Sequence, residues 1–346
     1  MSEAVRRRCR DHTGDERYLR VALLGDLRAL VPFDFHVWLL IDPETEVGTA
    51  PLAAVPDRLG AALPATIRHR YLTQVNRWDS MTSAVESLDR ATGGHREAST
   101  FHREILAANG IGDVASLCFR DTTGCWGFLE LWRLADDASF SGKELAALSG
   151  TVETITTALR RCHARSFDET VPSDQPSGTA VMMLSPDLGV IGQTPGTDDY
   201  LRALLPTEAD RRPVPAAAYN VAAALAASEV GAFDHPPTAR VRPAGSIWLT
   251  FAAARVDDDR PRHQRDIAVT ITASTPSERR SLFVRAHGLS RREIDVVDRL
   301  MNGSDTRAIA DALFVSEHTV QDHLKAIFAK TGARSRPALL ARIHGR

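Results

Sequence analysis

Lysine is almost missing from this chain. Only Lys143, Lys325 and Lys330 stand against 39 arginines in 346 residues, a skew that fits a GC-rich genome and carries no mechanism. Cysteine is scarce too: four residues in so long a chain cannot build a disulfide framework. No apolar run reaches the roughly eighteen residues of a membrane span, which excludes helical insertion. The opening stretch MSEAVRRRCRDHTGDERYLR lacks the apolar segment of a secretory leader. Together these absences predict a cytoplasmic protein with reduced thiols, and Arg6 to Arg10 read as a disordered, solvated tail. Catalytic signatures are missing as well: no nucleotide-binding glycine loop, no G-x-S-x-G elbow, no H-E-x-x-H. His36, His69, His95, His102 and His163 are scattered without metal-ligand spacing. Asp257, Asp258 and Asp259 lie beside Arg260 and Arg262 and read as a solvated charge cluster. No catalytic residue, metal or cofactor is implied, and enzymatic activity is not expected.

What the chain does have is concentrated at its C-terminal end. Ser290 and Glu293 form the capping-box pair of a helix whose first turn satisfies its own N–H groups. Ile294, Val297, Leu300 and Met301 then recur at helical spacing, which gives one apolar stripe. Gly303 stops this helix. Asp305 caps a second one carrying Ile309, Ala312 and Leu313. The turn Phe314-Val315 leads to Ser316, the cap of a third. Two short helices joined so tightly pack near right angles and leave the second free to enter a DNA groove. On that third helix Val320, Leu324, Ile327 and Phe328 form the core side. His318, Gln321, Asp322 and Lys325 form the opposite side, within reach of base edges and phosphates. Thr319 lies in the first turn, where a hydroxyl and exposed N–H groups suit a phosphate oxygen. Gln pairs naturally with adenine in the major groove.

This segment resembles the LuxR-type helix-turn-helix domain of bacterial transcription regulators. Leu289-Ser290-Arg291-Arg292-Glu293 matches the opening L-[ST]-x-R-E, and Gly303 and Ile309-Ala310 match positions around the second helix. Ser316, Thr319-Val320, His323, Ile327, Lys330 and Gly332 match the run S-x-x-T-V-x-x-H-x-x-x-I-x-x-K-x-G. Arg334-Ser335-Arg336 resembles the opening of the fourth helix, which in this family often pairs two copies. The resemblance implies a partner, double-stranded DNA, bound by a homodimer, with RNA polymerase as a further candidate partner. It assigns DNA contact to Ser316, His318, Thr319, Gln321, Asp322, Lys325, Lys330, Arg334 and Arg336, and leaves His323 as a packing residue. Departures limit what carries over. Gln321 replaces a frequent Lys, Asp322 adds a negative charge on the groove side, Thr331 replaces a Leu, and Ala308 replaces a Glu. Residues 281–346 hold 11 Lys and Arg against 7 Asp and Glu, whereas the preceding 280 hold 31 against 37. Positive charge gathered in one terminal segment is the footprint of phosphate binding.

The longer N-terminal part reads as two α+β units. Leu19, Leu23, Leu24, Leu27 and Leu30 predict an amphipathic helix ended by Pro32. A buried strand follows over Phe35 to Ile41, with a turn at Asp42-Pro43-Glu44-Thr45 into a second strand. Helical stretches near 57–76 and 99–109 precede a hairpin, 113–120 with 125–133, around Asp121-Thr122-Thr123-Gly124. A helix from about Gly142 to His163 closes the unit. This element order, with the strand GFLELWR, resembles a GAF domain over 15–165. Ser173 to Gly178 reads as a linker. Residues 179–275, with the turn Ser185-Pro186-Asp187-Leu188-Gly189 and strands TARVR, SIWLTFAAA and IAVTITA around a DDDRPR hairpin loop, resemble a PAS domain. Residues 276–288 would connect to the DNA module at 289–346. The fold class expected is therefore multidomain α+β: GAF-like and PAS-like antiparallel-sheet domains, then an all-α four-helix LuxR-type domain.

Two side-chain groups in this part bear on function. Trp126, Phe128 and Trp132 share a strand face by parity, and with Trp38 they could line a pocket for an unknown small-molecule ligand. Cys118 and Cys125 would be diagonal neighbours about 7–8 Å apart, too far for an ordinary disulfide, so two buried thiols are expected. The function expected is a sequence-specific DNA-binding regulator whose N-terminal units sense a ligand or partner and control dimeric DNA binding. A scaffold that only dimerises, and an enzymatic half fused to a DNA-binding module, are its rivals.

Overall fold

A computed structural model describes residues 2–168, 178–204, 214–243 and 246–345. The first part runs α1 (Ser2–Asp11), α2 (Glu16–Leu30), β1 (Phe35–Leu40), β2 (Leu52–Ala54), α3 (Asp57–Ala61), α4 (Leu63–Leu72), β3 (Val85–Ser87), α5 (Leu88–Ala91), β4 (Ile111–Asp121), β5 (Gly124–Leu134) and α6 (Gly142–Arg165). Its strands form one antiparallel sheet in the order β2-β1-β5-β4-β3. Asp15 starts α2 by accepting the Tyr18 N–H, and Ser141 with Glu144 starts α6 through a full capping box. Leu19, Leu23 and Leu27 of α2, and Leu145, Leu148, Ile155 and Leu159 of α6, pack with Trp38, Leu129 and Leu131 of the sheet. The opposite sheet face carries α4, the short turns after it, and the cluster around Trp132.

Two expectations are corrected here. Arg6 to Arg10 are not a disordered tail but part of α1, which packs against α6 and α2 through fully buried Val5 and nearly buried Cys9. Arg161 of α6 donates to the Cys9 carbonyl at 2.6 Å. With only two apolar anchors, the stripe was too thin to show as a periodicity. The second correction concerns the aromatics. Phe119 pairs with Gly127 and Arg120 with Cys125, so Trp126 is the extra residue of a β-bulge. A bulge breaks the two-residue alternation. Trp126 therefore joins the α2 and α6 core, and Trp38 lies there too because it stands opposite Leu129 in the sheet. Phe128 and Trp132 lie in other clusters, and the four do not line one cavity.

The second part holds β6 (Ala180–Leu184), β7 (Val190–Gln193), α7 (Thr197–Leu204), α8 (Ala216–Glu229), β8 (Thr238–Val241), β9 (Leu249–Arg255) and β10 (Ile267–Ala273). Its antiparallel sheet has the order β7-β6-β10-β9-β8. Counted from the first strand of each sheet, this is the same plan as the first. The DDDRPR loop joins β9 to β10, and there Arg260 pairs with Asp258 and Asp266. The expected linker 173–178 lies outside the described residues except for Gly178.

The two sheets share a core. Helix α8, AAAYNVAAALAASE, is apolar nearly all round and buried along almost its whole length, as such a helix must be. It packs against β9 on one side and α4 on the other. Alanine and glycine allow this close approach: a Cβ on Gly48 would meet the Asn220 Oδ1 at 2.9 Å. Phe233 stacks edge-on against Tyr71 and lies beside Trp78. A buried ion pair adds a second tie. Arg240 of β8 donates from Nε and from its backbone N–H to Asp42, each at 2.8 Å. Its Nη1 pairs with Glu44, whose carboxylate also accepts the Ser281 hydroxyl at 2.6 Å. Ser281 belongs to α9 (Pro276–Ala286), which runs into α10 (Arg291–Met301), α11 (Thr306–Leu313), α12 (Glu317–Thr331) and α13 (Arg336–His344).

Candidate nucleic-acid interface

Each C-terminal helix begins on a side chain chosen for the task. Ser290 and Glu293 complete the capping box of α10; Asp305 accepts the Ala308 N–H; Ser316 accepts the Thr319 N–H; Ser335 accepts the Ala338 N–H. Gly332 and Gly345 end α12 and α13 in the left-handed conformation. Phe314 ends α11 the same way, at φ 55°, and its side chain is 95% exposed. A non-glycine residue held at positive φ beside so much exposed ring is a feature the sequence pattern did not mark.

The module core is Val296, Val297, Leu300, Ile309, Ala310, Val320, Leu324, Ile327, Leu339 and Ile343. Burying a Val, Leu or Ile side chain contributes about 1.5–3 kcal/mol, so the three from α12 fix which way that helix faces. Phe328, Ile294 and Met301 are only partly buried. The core does not stop at α10. Leu282 and Phe283 of α9, Trp248 and Phe167 belong to it. Arg279 of α9 donates to the carbonyls of Ile343 at 2.8 Å and Arg342 at 3.0 Å, which caps the end of α13. Burial pushes its guanidinium down to about 10.

With its apolar side held down, α12 presents the opposite side outward. His318, Gln321, Asp322 and Lys325 are all exposed. Lys325 donates to Asp322 at 3.0 Å, and His318 approaches the same carboxylate at 3.5 Å. The Lys325 hydrogen bond, its charge and then His318 hold the Asp322 carboxyl below its usual range. Asp322 thus holds the Lys325 ammonium in place on the exposed face. Ser316 and Thr319 share a hydroxyl contact of 2.9 Å at the helix start. Gln321 and Arg336 converge on Thr306 Oγ1, at 3.5 Å and 2.5 Å, so α11, α12 and α13 meet beside the start of α11. Arg334 is exposed nearby.

Lys330 stands apart from this row. Its ammonium pairs with Glu293 at 2.7 Å and with the Gly288 carbonyl at 3.3 Å, tying α12 to the start of α10. Burial alone would raise the Glu293 carboxyl, but Lys330 and the Ser290 N–H outweigh it and hold it low. Thr331 explains its own departure from Leu: it is buried, donates to the Ile327 carbonyl at 2.8 Å, and accepts the Ala333 N–H at 3.3 Å. A buried hydroxyl with both roles filled costs little.

The aromatic candidates of the N-terminal part offer less. The cavity on the Phe128 side of the first sheet is lined by Arg70, Val75, Asn76, Leu88, Ser99 and Glu130 among others, and holds about 10 Å³. Arg70 and Glu130 face each other there at 3.0 Å. Burial pushes the carboxyl up and the guanidinium down, each against the pull of its partner. Among the described residues no group of three or more His, Cys, Asp or Glu could hold a metal ion, and no helix is long and apolar enough to cross a membrane.

Comparison with known proteins bears on the module alone. Two structures of SdiA are among the similar solved structures. Escherichia coli SdiA is 12% identical over 99% of this chain and 96% of its own, with a TM-score of 0.38. SdiA in complex with octanoyl-rac-glycerol is 12% identical over 99% and 93%, with a TM-score of 0.36. The bacteriophytochrome RpBphP3 from the photosynthetic bacterium R. palustris is 12% identical over 78% and 61%, with a TM-score of 0.32. Likeness at that level establishes no shared fold. Curated proteins gave no match. Residues 287–342, however, match the family described as bacterial regulatory proteins, luxR family. The C-terminal helices are therefore a LuxR-family helix-turn-helix domain, the DNA-binding part of a transcription regulator.

Proposed function

We propose that this chain is a sequence-specific transcription regulator that reads duplex DNA with α12 in the major groove. The observation that carries the reading is the two-sided character of α12: Val320, Leu324 and Ile327 are buried, while His318, Gln321, Asp322 and Lys325 are exposed on one row. Base contact falls to Gln321 and His318. Phosphate contact falls to Lys325, Arg334, Arg336 and the hydroxyls of Ser316 and Thr319. Lys330, already paired with Glu293, acts by fixing the helix. Two copies pair through α13, where Pro337 is exposed and Leu340 half-buried, and bind paired half-sites.

The remaining chain divides into a GAF-like unit, 15–165, a PAS-like unit, 179–275, and a connecting helix, 276–288. The common strand order of the two sheets supports reading them as related sensory folds. How they act is read best as a packed scaffold that passes on a partner's binding. A drug-sized ligand needs roughly 300 Å³ or more, against about 10 Å³ beside Phe128. The roomier cleft, about 410 Å³, lies open between α1 and α6 and is lined by polar groups including Arg6, Arg10, Glu153 and Arg161, a surface suited to a partner. Arg70 and Glu130 are the convergent groups that an enzymatic half would require, but they are spent on each other.

The test is titration of the full chain against genomic DNA fragments over a range of salt, followed by mapping of bound sites. Affinity that falls steeply with salt, and enrichment of one repeated half-site, are expected. Binding no tighter than that of an unrelated acidic protein refutes the proposal.

A further inference from the structure

The β4–β5 hairpin holds two thiols that the DNA-binding reading does not use. The bulge at Trp126 that scatters the aromatics also draws Cys118 and Cys125 together, and their sulfurs touch at 3.6 Å. The diagonal spacing expected of a regular hairpin does not apply. A disulfide needs the sulfurs at about 2.05 Å, so closure asks for a shift of about 1.5 Å. Both residues are free thiols.

We propose that Cys118 and Cys125 form a modification site that a hydroperoxide converts into an intramolecular disulfide. Cys118 is the attacking group. It keeps 5% exposure where Cys125 has none, and it lies on the side of Arg120, whose guanidinium bonds Glu46 at 2.7 Å and the Trp78 carbonyl at 3.0 Å. A thiol donated from Cys125 and the Arg120 charge favour the Cys118 thiolate against the cost of burial, while the Cys125 thiol is pushed up. The thiolate attacks one peroxide oxygen, the O–O bond breaks, and the alcohol leaves with the proton that Cys118 gave up. Cys118 is then a sulfenic acid. Cys125 attacks that sulfur, the S–S bond forms, the S–O bond breaks, and water leaves with the Cys125 proton. Two thiols lose two electrons and one hydroperoxide gains them.

The site is placed to be felt elsewhere. The Cys118 sulfur lies 3.6 Å from the Trp78 carbonyl oxygen, and the Cys125 sulfur 3.6 Å from that of Gly127. Closure withdraws both sulfurs. The hairpin turn they flank accepts Arg285 of α9 on the Thr123 carbonyl at 2.9 Å and presses Gly124 so closely on Pro43 that a Cβ there would meet the Pro43 carbonyl oxygen at 2.5 Å. Pro43 lies between Asp42 and Glu44, the partners of Arg240. A strained hairpin therefore pulls on the helix that leads into the DNA module. This transmission rests on the DNA-binding reading; the disulfide does not.

The experiment treats the native full chain with hydrogen peroxide, blocks remaining thiols and digests with trypsin without reduction. Peptides 104–120 and 121–133 should appear linked, and should stay linked when Cys9 and Cys162 are both changed to Ser. Two unlinked peptides, or Cys118 found as sulfinic acid with Cys125 still free, overturn the site. Affinity for duplex DNA at low salt is then compared between reduced and oxidised chains. A change of about fivefold or more is expected, and Cys125→Ser should abolish it. Equal affinity in the two forms overturns the transmission and leaves the disulfide standing. Failure of both forms to bind DNA counts against the regulator reading instead.

Discussion

Replacing Arg240 by Met would leave the Asp42 carboxylate buried without its cation. The side chain of Asp42 is fully enclosed, and Arg240 reaches it from Nε, Nη2 and the backbone N–H. Only the backbone donors of Arg240, Glu44 and Thr45 would remain. Removing one partner of such a pair costs about 3–5 kcal/mol, mostly the cost of the charge left behind. The effect has a pH signature. In the native chain burial would raise the Asp42 carboxyl, but the charge and hydrogen bonds of Arg240, with the Glu44 N–H, hold it below its ordinary value. Its stabilising contribution is therefore complete above about pH 4, the unfolded value, and is lost as pH falls through the lower folded value. In Arg240→Met burial is opposed only by the remaining backbone N–H donors, the carboxyl moves up, and the penalty is full at neutral pH and relieved as the group protonates. The gap between the two chains should be widest near neutrality and narrow toward about pH 4. Urea unfolding followed by tryptophan fluorescence reads this as the midpoint of the first transition, since several packed units need not unfold as one. The double variant Asp42→Asn with Arg240→Met should regain most of the loss. Equal midpoints for Arg240→Met and the native chain, or a gap that does not change with pH, would refute the reasoning.

The DNA module supplies the other predictions. Lys325→Ala should weaken binding to all duplexes alike and lower the salt slope by about 1, measured by anisotropy across salt concentrations. Gln321→Ala should instead alter preference at about one base position, at roughly 1–3 kcal/mol, read from a panel of single-base operator variants. If the two lose affinity equally for every sequence, the base-facing row is misassigned. Phe314→Gly removes a side chain that packs on little and frees a left-handed position, which costs an L-residue about 1–2 kcal/mol; thermal melting should show unchanged or raised stability, and a clear loss would mean that the ring has a partner. Leu324→Ala should cost about 2–5 kcal/mol and abolish DNA binding with loss of the module's helical signal.

How much of this was legible depended on distance along the chain. The C-terminal caps at Ser290, Asp305 and Ser316 lie within four residues of the groups they satisfy, so spelling alone reveals them. The β4–β5 hairpin and α6 were legible for the same reason. Short strands β3 and β7 were not, because three or four residues carry no period. Helix α8 has no polar face to produce one. The bulge at Trp126 defeated parity, and with it both the pocket of four aromatics and the spacing of the two thiols. Lys330 is the instructive case in the interface. Its position fits a phosphate contact, yet its partner is Glu293, 37 residues earlier. The pairing of Asp42 with Arg240 spans 198 positions, and no local pattern announces it.

The alanine helix wedged between the two sheets has a practical corollary for anyone dividing this protein into pieces. Tyr71, Trp78 and Phe128 on one side, and Leu249, Phe251 and Val269 on the other, rest in a single oily interior. A fragment ending before α8 would bare its half of that interior to water. Excised alone, either half should be sticky and poorly soluble, whereas cuts that keep both sheets together would spare it.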